Sequence, residues 1–293
     1  MSAPSVVIAG CGDVGSRLAT QLLAQGWEVH GLRRDISRLP KGVIGIAGDL
    51  FNEDCPDTWP VGGVDYLVYC AAATDHDEAG YRAAYVQGLQ HVLEWLNDYG
   101  QEPKHLLFVS SSSVYGQQNG EWVDESSETQ AGGYSGQVML EAEQVALNSG
   151  IPASVVRLTG IYGPGREWLL SQVRQGYRVA IDPPLYGNRI HADDAAGLLA
   201  FLLRHVEKGG SLDKVYIGVD DAPAAAETTS ALDRASGFLR SEMARTATLR
   251  TVPKLRFCFD ESVGRGRAME ALIRDVRAAD GELGDQPDSP EGD

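Results

Sequence analysis

Long apolar runs are missing from this 293-residue sequence. None approaches the 18 or so residues that a bilayer-spanning helix needs, so no membrane span is expected. The opening stretch from Met1 to Gly15 has no basic leader region and passes at once into a strand-like run, from which a cytoplasmic location is expected. Cysteine is sparse: Cys11, Cys55, Cys70 and Cys258 show no paired short spacing, which argues against a zinc site and a disulfide framework and leaves buried free thiols. Positive charge is also in short supply, with 25 Lys and Arg against 41 Asp and Glu and a net charge of −16. Only five residues are lysines: Lys41, Lys104, Lys208, Lys214 and Lys254. A phosphate backbone requires a cationic face, so the chain as a whole does not read as a nucleic-acid binder.

The charge is not evenly spread. Residues 1–225 hold 15 basic and 28 acidic side chains, a net −13, whereas residues 234–277 hold ten basic and five acidic, a net +5. Such an asymmetry points to two units with different partners. The final residues, 281–293, are acidic, rich in Pro and Gly and without apolar periodicity, and are expected to be a disordered tail.

With 43% hydrophobic residues, the rest of the chain has the means to bury a core. Short β-branched or apolar runs at Val6–Ala9, Trp27–Leu32, Val43–Ala47, Tyr66–Cys70, Leu106–Ser110, Ser154–Leu158 and Val215–Val219 read as strands. Helical spacing of apolar residues appears from Ser16 to Gln25 and over about 79–99 and 138–149. Strands alternating with helices imply a doubly wound parallel sheet of Rossmann type, placed here at residues 1–225. The rhythm stops at the alanine-rich stretch that follows Asp220.

The chemistry concentrates at the first strand–helix junction. Gly10, Gly12 and Gly15 form a GxGxxG pattern between strand and helix, the context in which it marks a dinucleotide site. Gly10 permits a tight turn, Gly12 removes a side chain from the path of a pyrophosphate, and Gly15 lets helix and strand approach. The backbone around Asp13 and Val14 then offers free N–H groups at a helix N-terminus. At the end of the second strand, where an NAD-selective site shows Asp or Glu, this chain has Arg33 and Arg34. Two guanidinium groups suit a 2′-phosphate, so the expected cofactor is NADP rather than NAD. Asp49 and Leu50, after the third strand, are placed to meet the adenine edge, and the small Ala71 and Ala72 after the fourth leave room for the cofactor's ribose.

Together with this loop, the runs FVSSSSVYG (Phe108–Gly116) and VVRLTGIYGPG (Val155–Gly165), Tyr134, and RIHADDAA (Arg189–Ala196) resemble the short-chain dehydrogenase/reductase superfamily, in particular its extended and atypical epimerase/dehydratase branch. The resemblance covers about residues 4–225. It implies that Ser111 positions a substrate hydroxyl or carbonyl and that Tyr134 exchanges a proton. It also implies a YxxxK lysine, but here Val138 stands at that position, and Tyr85 replaces the helix asparagine. A tyrosine with no cation beside it ionises near about 10, which leaves little tyrosinate at neutral pH. The residues present therefore suit cofactor binding better than general-base catalysis by Tyr134. His191, Asp193 and Asp194 read either as a substrate wall or as a helix N-terminus, the latter being the commoner use of such an Asp. Arg157 is expected to satisfy buried polar groups. His76 with Asp75 and Asp77 is read as an ordinary loop, with no metal expected.

From about residue 230 the text changes to ALDRASGFLRSEMARTATLRTVPKLRFCFDESVGRGRAMEALI, which resembles the second half of ribosome-binding factor A. That resemblance implies a partial KH-like α+β segment over residues 226–280 and a 30S subunit or rRNA partner. Arg240, Arg245, Arg250, Lys254, Arg256, Arg265 and Arg267 are the phosphate-neutralising candidates there. The run DKVYIGVDDAP suits either the last strand of the first unit or a strand of the second. Three functions stay open at this point: an NADP-dependent reductase or epimerase/dehydratase with a small-molecule substrate, a ribosome-maturation protein, and a non-catalytic NADP sensor. A homodimer through two packed helices is what the reductase-like resemblance implies.

Overall fold

The structure, a computed structural model, describes residues 3–117, 120–166 and 188–220. The expected KH-like segment and acidic tail lie outside these residues. The described residues belong to one unit, which takes in Met1–Ser171 and Asn188–Ala222.

Among the described residues, seven strands form an all-parallel sheet: β1 (Ser5–Ala9), β2 (Glu28–Arg33), β3 (Ile44–Ala47), β4 (Tyr66–Tyr69), β5 (His105–Ser111), β6 (Ala153–Leu158) and Val215–Gly218. Two short strands, β7 (Gly160–Tyr162) and β8 (Arg189–His191), pair in parallel outside this sheet, so Val215–Gly218 is β9. The spatial order is β3-β2-β1-β4-β5-β6-β9. The expected doubly wound sheet is present, and the ambiguous DKVYIGVDDAP run supplies its last strand in register with β6, Val155 beside Val215 and Leu158 beside Gly218.

Strand periodicity divides the core. Val6, Ile8, Tyr66 and Val68 face one layer, with α1 (Asp13–Leu23) and the helix Ala192–Glu207, whereas Val7, Ala9, Leu67 and Tyr69 face the other. On that second face lie α2 (Glu78–Tyr81), a π-helical turn over Arg82–Gln87, α3 (Gly88–Asp98) and α4 (Tyr134–Leu147), so that Ala192–Glu207 is α5. Because both faces are covered, the central strands read as continuous apolar runs rather than as alternation.

The π turn has an identifiable cause. The Tyr69 hydroxyl, on the buried face of β4, donates to the Ala84 carbonyl at 2.5 Å, the acceptor that an α-helical bond from Gly88 would use. The Gly88 N–H turns instead to the Ala83 carbonyl, one residue further back. A Cβ on Gly88 would sit 2.5 Å from the Tyr69 oxygen, so only glycine fits there. Gly88→Ala is expected to lower stability by about 1–3 kcal/mol through overpacking, read from urea unfolding, and Tyr69→Phe should relieve much of that loss.

His105, at the start of β5, is buried and meets the Ser154 hydroxyl at 3.0 Å. Burial pushes its pKa below the ordinary 6.5, so the unfolded chain binds a proton more readily than the folded one. This residue's contribution to stability should therefore fall as pH drops below about 6.5 and level off below the folded-state pKa. His105→Gln, measured by denaturant titration between pH 5 and 8, should flatten that slope.

Candidate functional site

At the carboxyl end of β1 the chain makes the turn that the glycine pattern requires. Gly10 has φ +85°, and a Cβ there would lie 2.5 Å from the Ala71 Cα. The ends of β1 and β4 thus pass backbone against backbone, at the place where the strand order reverses direction and doubly wound sheets bind ligands. A Cβ on Gly15 would come within 3.1 Å of both the Gly10 carbonyl and the Ile8 side chain, so α1 packs close on β1. Gly12 differs: an added Cβ would meet nothing nearer than the Gly10 oxygen at 3.9 Å. Its missing side chain leaves a cradle at the N-terminus of α1, where Gly12 is the N-cap and makes no side-chain cap bond. Val14 and Gly15 are buried beneath it, whereas Gly12 and Asp13 are exposed.

A cavity of about 590 Å³ opens beside this cradle. Its polar wall contains four guanidinium groups, from Arg17, Arg33, Arg38 and Arg166, and one carboxylate, from Asp13. Arg33 ends β2 and is braced by bonds from Nη1 to the carbonyls of Cys11, at 3.2 Å, and Arg38, at 3.4 Å. Arg38 reaches the same wall because Asp35 caps the turn Ile36–Arg38, accepting from the Ser37 N–H at 3.1 Å and the Ser37 hydroxyl at 2.6 Å. Arg34, which the sequence pairs with Arg33, points elsewhere. It is exposed, with one Nη 4.0 Å from Asp49 and the other 3.4 Å from the Thr74 hydroxyl. Asp49 also accepts from the Phe51 N–H, and the Leu50 carbonyl receives the His91 ring nitrogen at 2.9 Å, so both loop residues are fixed by local bonds. Ala72 is exposed just beyond the close contact at Ala71.

Asp13 is tied down from two sides. Arg17 Nε lies 2.9 Å from one carboxylate oxygen and Arg166 Nε 2.7 Å from the other. Burial alone would raise this carboxyl, but the two arginine hydrogen bonds outweigh it and hold it below the usual carboxylate range. Arg17 also bonds the Pro164 carbonyl at 2.9 Å and pairs with Asp193 in the first turn of α5. His191 is the N-cap of α5, its ring nitrogen accepting from the Asp193 N–H at 3.3 Å. The motif thus lies at the start of α5, with His191 rather than an Asp as the N-cap and Asp193 in the first turn paired with Arg17.

Ser111 ends β5, and Tyr134 starts the helix that seats against the turn following it. Ser111 caps the Ser112–Val114 turn, its oxygen accepting from the Ser113 N–H at 3.1 Å, which leaves its O–H as a donor. A Cβ on Gly136 would fall 2.2 Å from the Ser113 carbonyl, so glycine lets the first turn of α4 seat against that turn. Tyr134 is the first residue of α4; its hydroxyl donates to the His76 carbonyl at 2.5 Å and its ring meets Tyr81 edge-on at 5.6 Å. Val138, where a lysine would stand, is 1% exposed and packs in the apolar core with Met139 and Ala142. Tyr85 accepts from the Ala73 N–H at 3.4 Å, at the end of β4.

Behind these residues lies a buried ion pair that anchors them. Arg157 Nη2 and Nε bond the two oxygens of Glu143 at 2.7 and 2.9 Å, the Ser110 hydroxyl donates to Glu143 at 2.6 Å, and Arg157 Nη1 bonds the Tyr115 hydroxyl at 2.9 Å. Glu143 is 2% exposed and Arg157 6%. The reading of Arg157 as a satisfier of buried polar groups holds, and the group it serves is Glu143.

Among the described residues, no group of three or more His, Cys, Asp or Glu side chains is arranged to hold a metal ion, and no helix is long and apolar enough to cross a membrane. Cys11, Cys55 and Cys70 are free thiols.

A seven-stranded parallel sheet with a glycine cradle at its switch point defines an NAD(P)-binding Rossmann domain. The NAD dependent epimerase/dehydratase family model matches residues 6–218, and the chain belongs to that family. A solved structure from Methylobacillus flagellatus, assigned to the NAD-dependent epimerases/dehydratases, is 30% identical with a TM-score of 0.63 and covers 93% of this chain and all of that one. The Bordetella bronchiseptica enzyme WbmG, solved with NAD, shares the fold at 18% identity and a TM-score of 0.62, covering 88% of this chain and 82% of its own.

The C-terminal part belongs to a second family, ribosome-binding factor A, whose model matches residues 204–273. The Pseudomonas fluorescens ribosome-binding factor A is 37% identical over 98 residues, 32% of this chain and 74% of that protein, and the Hahella chejuensis protein is 36% identical over 103 residues, 33% and 76%. The likeness thus extends over more than the half of the factor visible in the sequence, and its model overlaps the epimerase model over residues 204–218, which form the last turn of α5 and the strand β9.

Proposed function

We propose that the N-terminal part of this chain binds NADP in preference to NAD and is a reductase- or epimerase/dehydratase-type protein whose proton-transfer machinery is incomplete. The observation that carries the proposal is the arginine-walled cavity beside the α1 N-terminus. Arg33 ends the second strand and Arg38 follows on the capped turn, with Asp35 between them in sequence bonded to Ser37 and outside the cavity lining, so a dianionic 2′-phosphate there would gain two charge-assisted contacts. The cradle at Gly12 receives the pyrophosphate against the free N–H groups around Asp13 and Val14, and Ala71, Ala72, Asp49 and Leu50 border the adenosine side. Arg34, on that border, is a partner for the adenine edge or for Asp49 rather than for the 2′-phosphate.

When bound, the nicotinamide supplies hydride exchange at C4. The chain's own residues contribute orientation. With one lone pair accepting from the Ser113 N–H, Ser111 retains its O–H for a substrate oxygen. Tyr134 is a second donor once its hydroxyl leaves the His76 carbonyl. With the buried Val138 at the lysine position, Tyr134 acts as a hydrogen-bond donor and not as a general base. Tyr134→Phe is expected to leave NADPH affinity unchanged within about twofold while cutting NADPH oxidation, with a small carbonyl or nucleotide-sugar substrate, by on the order of 10²-fold. Unchanged oxidation in this variant would remove Tyr134 from the reaction.

The family match at residues 204–273 favours a second activity in the same chain, association with the 30S subunit or its rRNA through residues 230–280. Fluorescence titration with NADPH, set beside co-sedimentation with 30S subunits, separates the readings. NADPH binding without ribosome association supports the reductase-like protein or a sensor; ribosome association without NADPH binding overturns the first proposal.

A further inference from the structure

Asp13 is the wrong charge for its place. It lies in the first turn of α1, on the cradle that would hold a pyrophosphate, and a bare carboxylate there would repel the ligand. The structure neutralises it with two guanidinium groups of different origin. Arg17 is one turn along the same helix and is held by three partners, Asp13, Asp193 and the Pro164 carbonyl. Arg166 comes from the segment after β7, is exposed, and approaches Asp13 across the mouth of the cavity at 2.7 Å. That segment is shaped to deliver it. Gly163 and Gly165 have φ of +134° and +86°, a conformation that side-chain-bearing residues rarely adopt, and the Arg166 N–H closes a turn on the Gly163 carbonyl at 3.1 Å.

We infer that Arg166 is a specificity-determining ligand for the cofactor's phosphates and that Asp13 is its parking site: phosphate arrival exchanges the Asp13–Arg166 pair for an Arg166–phosphate pair, while Arg17 stays with Asp13 and keeps it neutralised. The inference rests on the NADP-binding reading above. The exchange is favourable because a phosphate carries more charge and more acceptor oxygens than the carboxylate it replaces, and a guanidinium matches both. It gives Asp13 a function: competing with weak anions for Arg166, so that the site stays closed to stray carboxylates and inorganic phosphate and opens to a dinucleotide that also engages the Gly12 cradle and Arg33.

The competition makes Asp13 and Arg166 thermodynamically coupled in binding, which a double-mutant cycle measures. NADPH is titrated by fluorescence against the full-length chain, the variants Asp13→Asn, Arg166→Gln and the pair, at 50 and 200 mM salt. Arg166→Gln should weaken binding roughly tenfold. Asp13→Asn should tighten it by about threefold to tenfold, because Arg166 is released and a carboxylate removed, and this gain should shrink to less than half in the Arg166→Gln background. The salt dependence of affinity should be less steep without Arg166. Far-ultraviolet circular dichroism and the urea midpoint check that each variant is folded, and Arg166→Lys, which keeps the charge, should restore part of the affinity. If wild type binds NADPH but Arg166→Gln binds equally well, or if Asp13→Asn gains the same with and without Arg166, the exchange is wrong while the NADP site stands. If wild type binds neither NADPH nor NADH, the site reading itself fails.

Discussion

Replacing Arg157 by alanine is expected to destabilise the domain by about 3–5 kcal/mol, and Glu143→Ala by a similar amount, because each leaves a buried charge without its partner. Glu143 is 2% exposed and receives three hydrogen bonds, two from Arg157 and one from Ser110, so nothing else can satisfy it cheaply. Domains of this kind have some 5–15 kcal/mol of net stability, so either single change consumes a large share of it. The double change Arg157→Met with Glu143→Leu removes both charges and should cost much less than either single. Urea unfolding of the three variants checks this, and a double variant as unstable as the singles would contradict it. The consequence reaches the site. The pair joins α4, β5 and β6, with Ser110 beside Ser111 and Tyr134 at the start of α4, so a partly folded Arg157→Ala chain should lose any activity before it loses cofactor binding on the β1 side.

Gly12→Val is expected to abolish cofactor binding, on the order of a 100-fold loss or more, with little effect on folding. The space beside Gly12 is open within the protein, the nearest atom to an added Cβ being 3.9 Å away, so a Cβ there meets no clash. A pyrophosphate would not fit, because the isopropyl group stands between it and the helix N–H groups; two lost charge-assisted bonds of about 1.5 kcal/mol each already amount to that factor. Gly10→Val is the contrast. Its φ of +85° and the 2.5 Å contact with Ala71 make it a folding variant as well, so its urea midpoint should fall with its affinity. Equal NADPH affinity in Gly12→Val and wild type would place the cofactor elsewhere or nowhere.

The sheet was legible in the sequence because strands covered on both faces are continuous apolar runs, and Val6–Ala9 and Tyr66–Tyr69 are of that kind. The glycine loop was legible because each glycine answers a separate steric demand. What was not legible depends on atoms brought together from far apart. Helix α4 starts at Tyr134, four residues before the expected 138, because Gly136, which weakens a helix locally, is needed against the Ser113 carbonyl. The π turn at Arg82–Gln87 is set by a hydroxyl on β4. The three-residue strands β7 and β8 carry too little pattern to be read. At the site, Arg33 was found from its place at the end of β2, whereas Arg38 was missed although the Asp35–Ser37 turn that folds it back is a recognisable local signal. Arg17 was missed although its i,i+4 spacing to Asp13 is a local signal, whereas Arg166 could not be found, since a spacing of 153 residues says nothing of a shared carboxylate.

Equilibrium titration of the full-length chain with NADPH and NADH under one salt condition tests the central claim most directly. NADPH should bind at least about tenfold more tightly, and Arg33→Ala with Arg38→Ala should erase that preference while leaving NADH affinity nearly unchanged. NADH binding as tight as NADPH, or a preference that survives the loss of both arginines, would contradict the account.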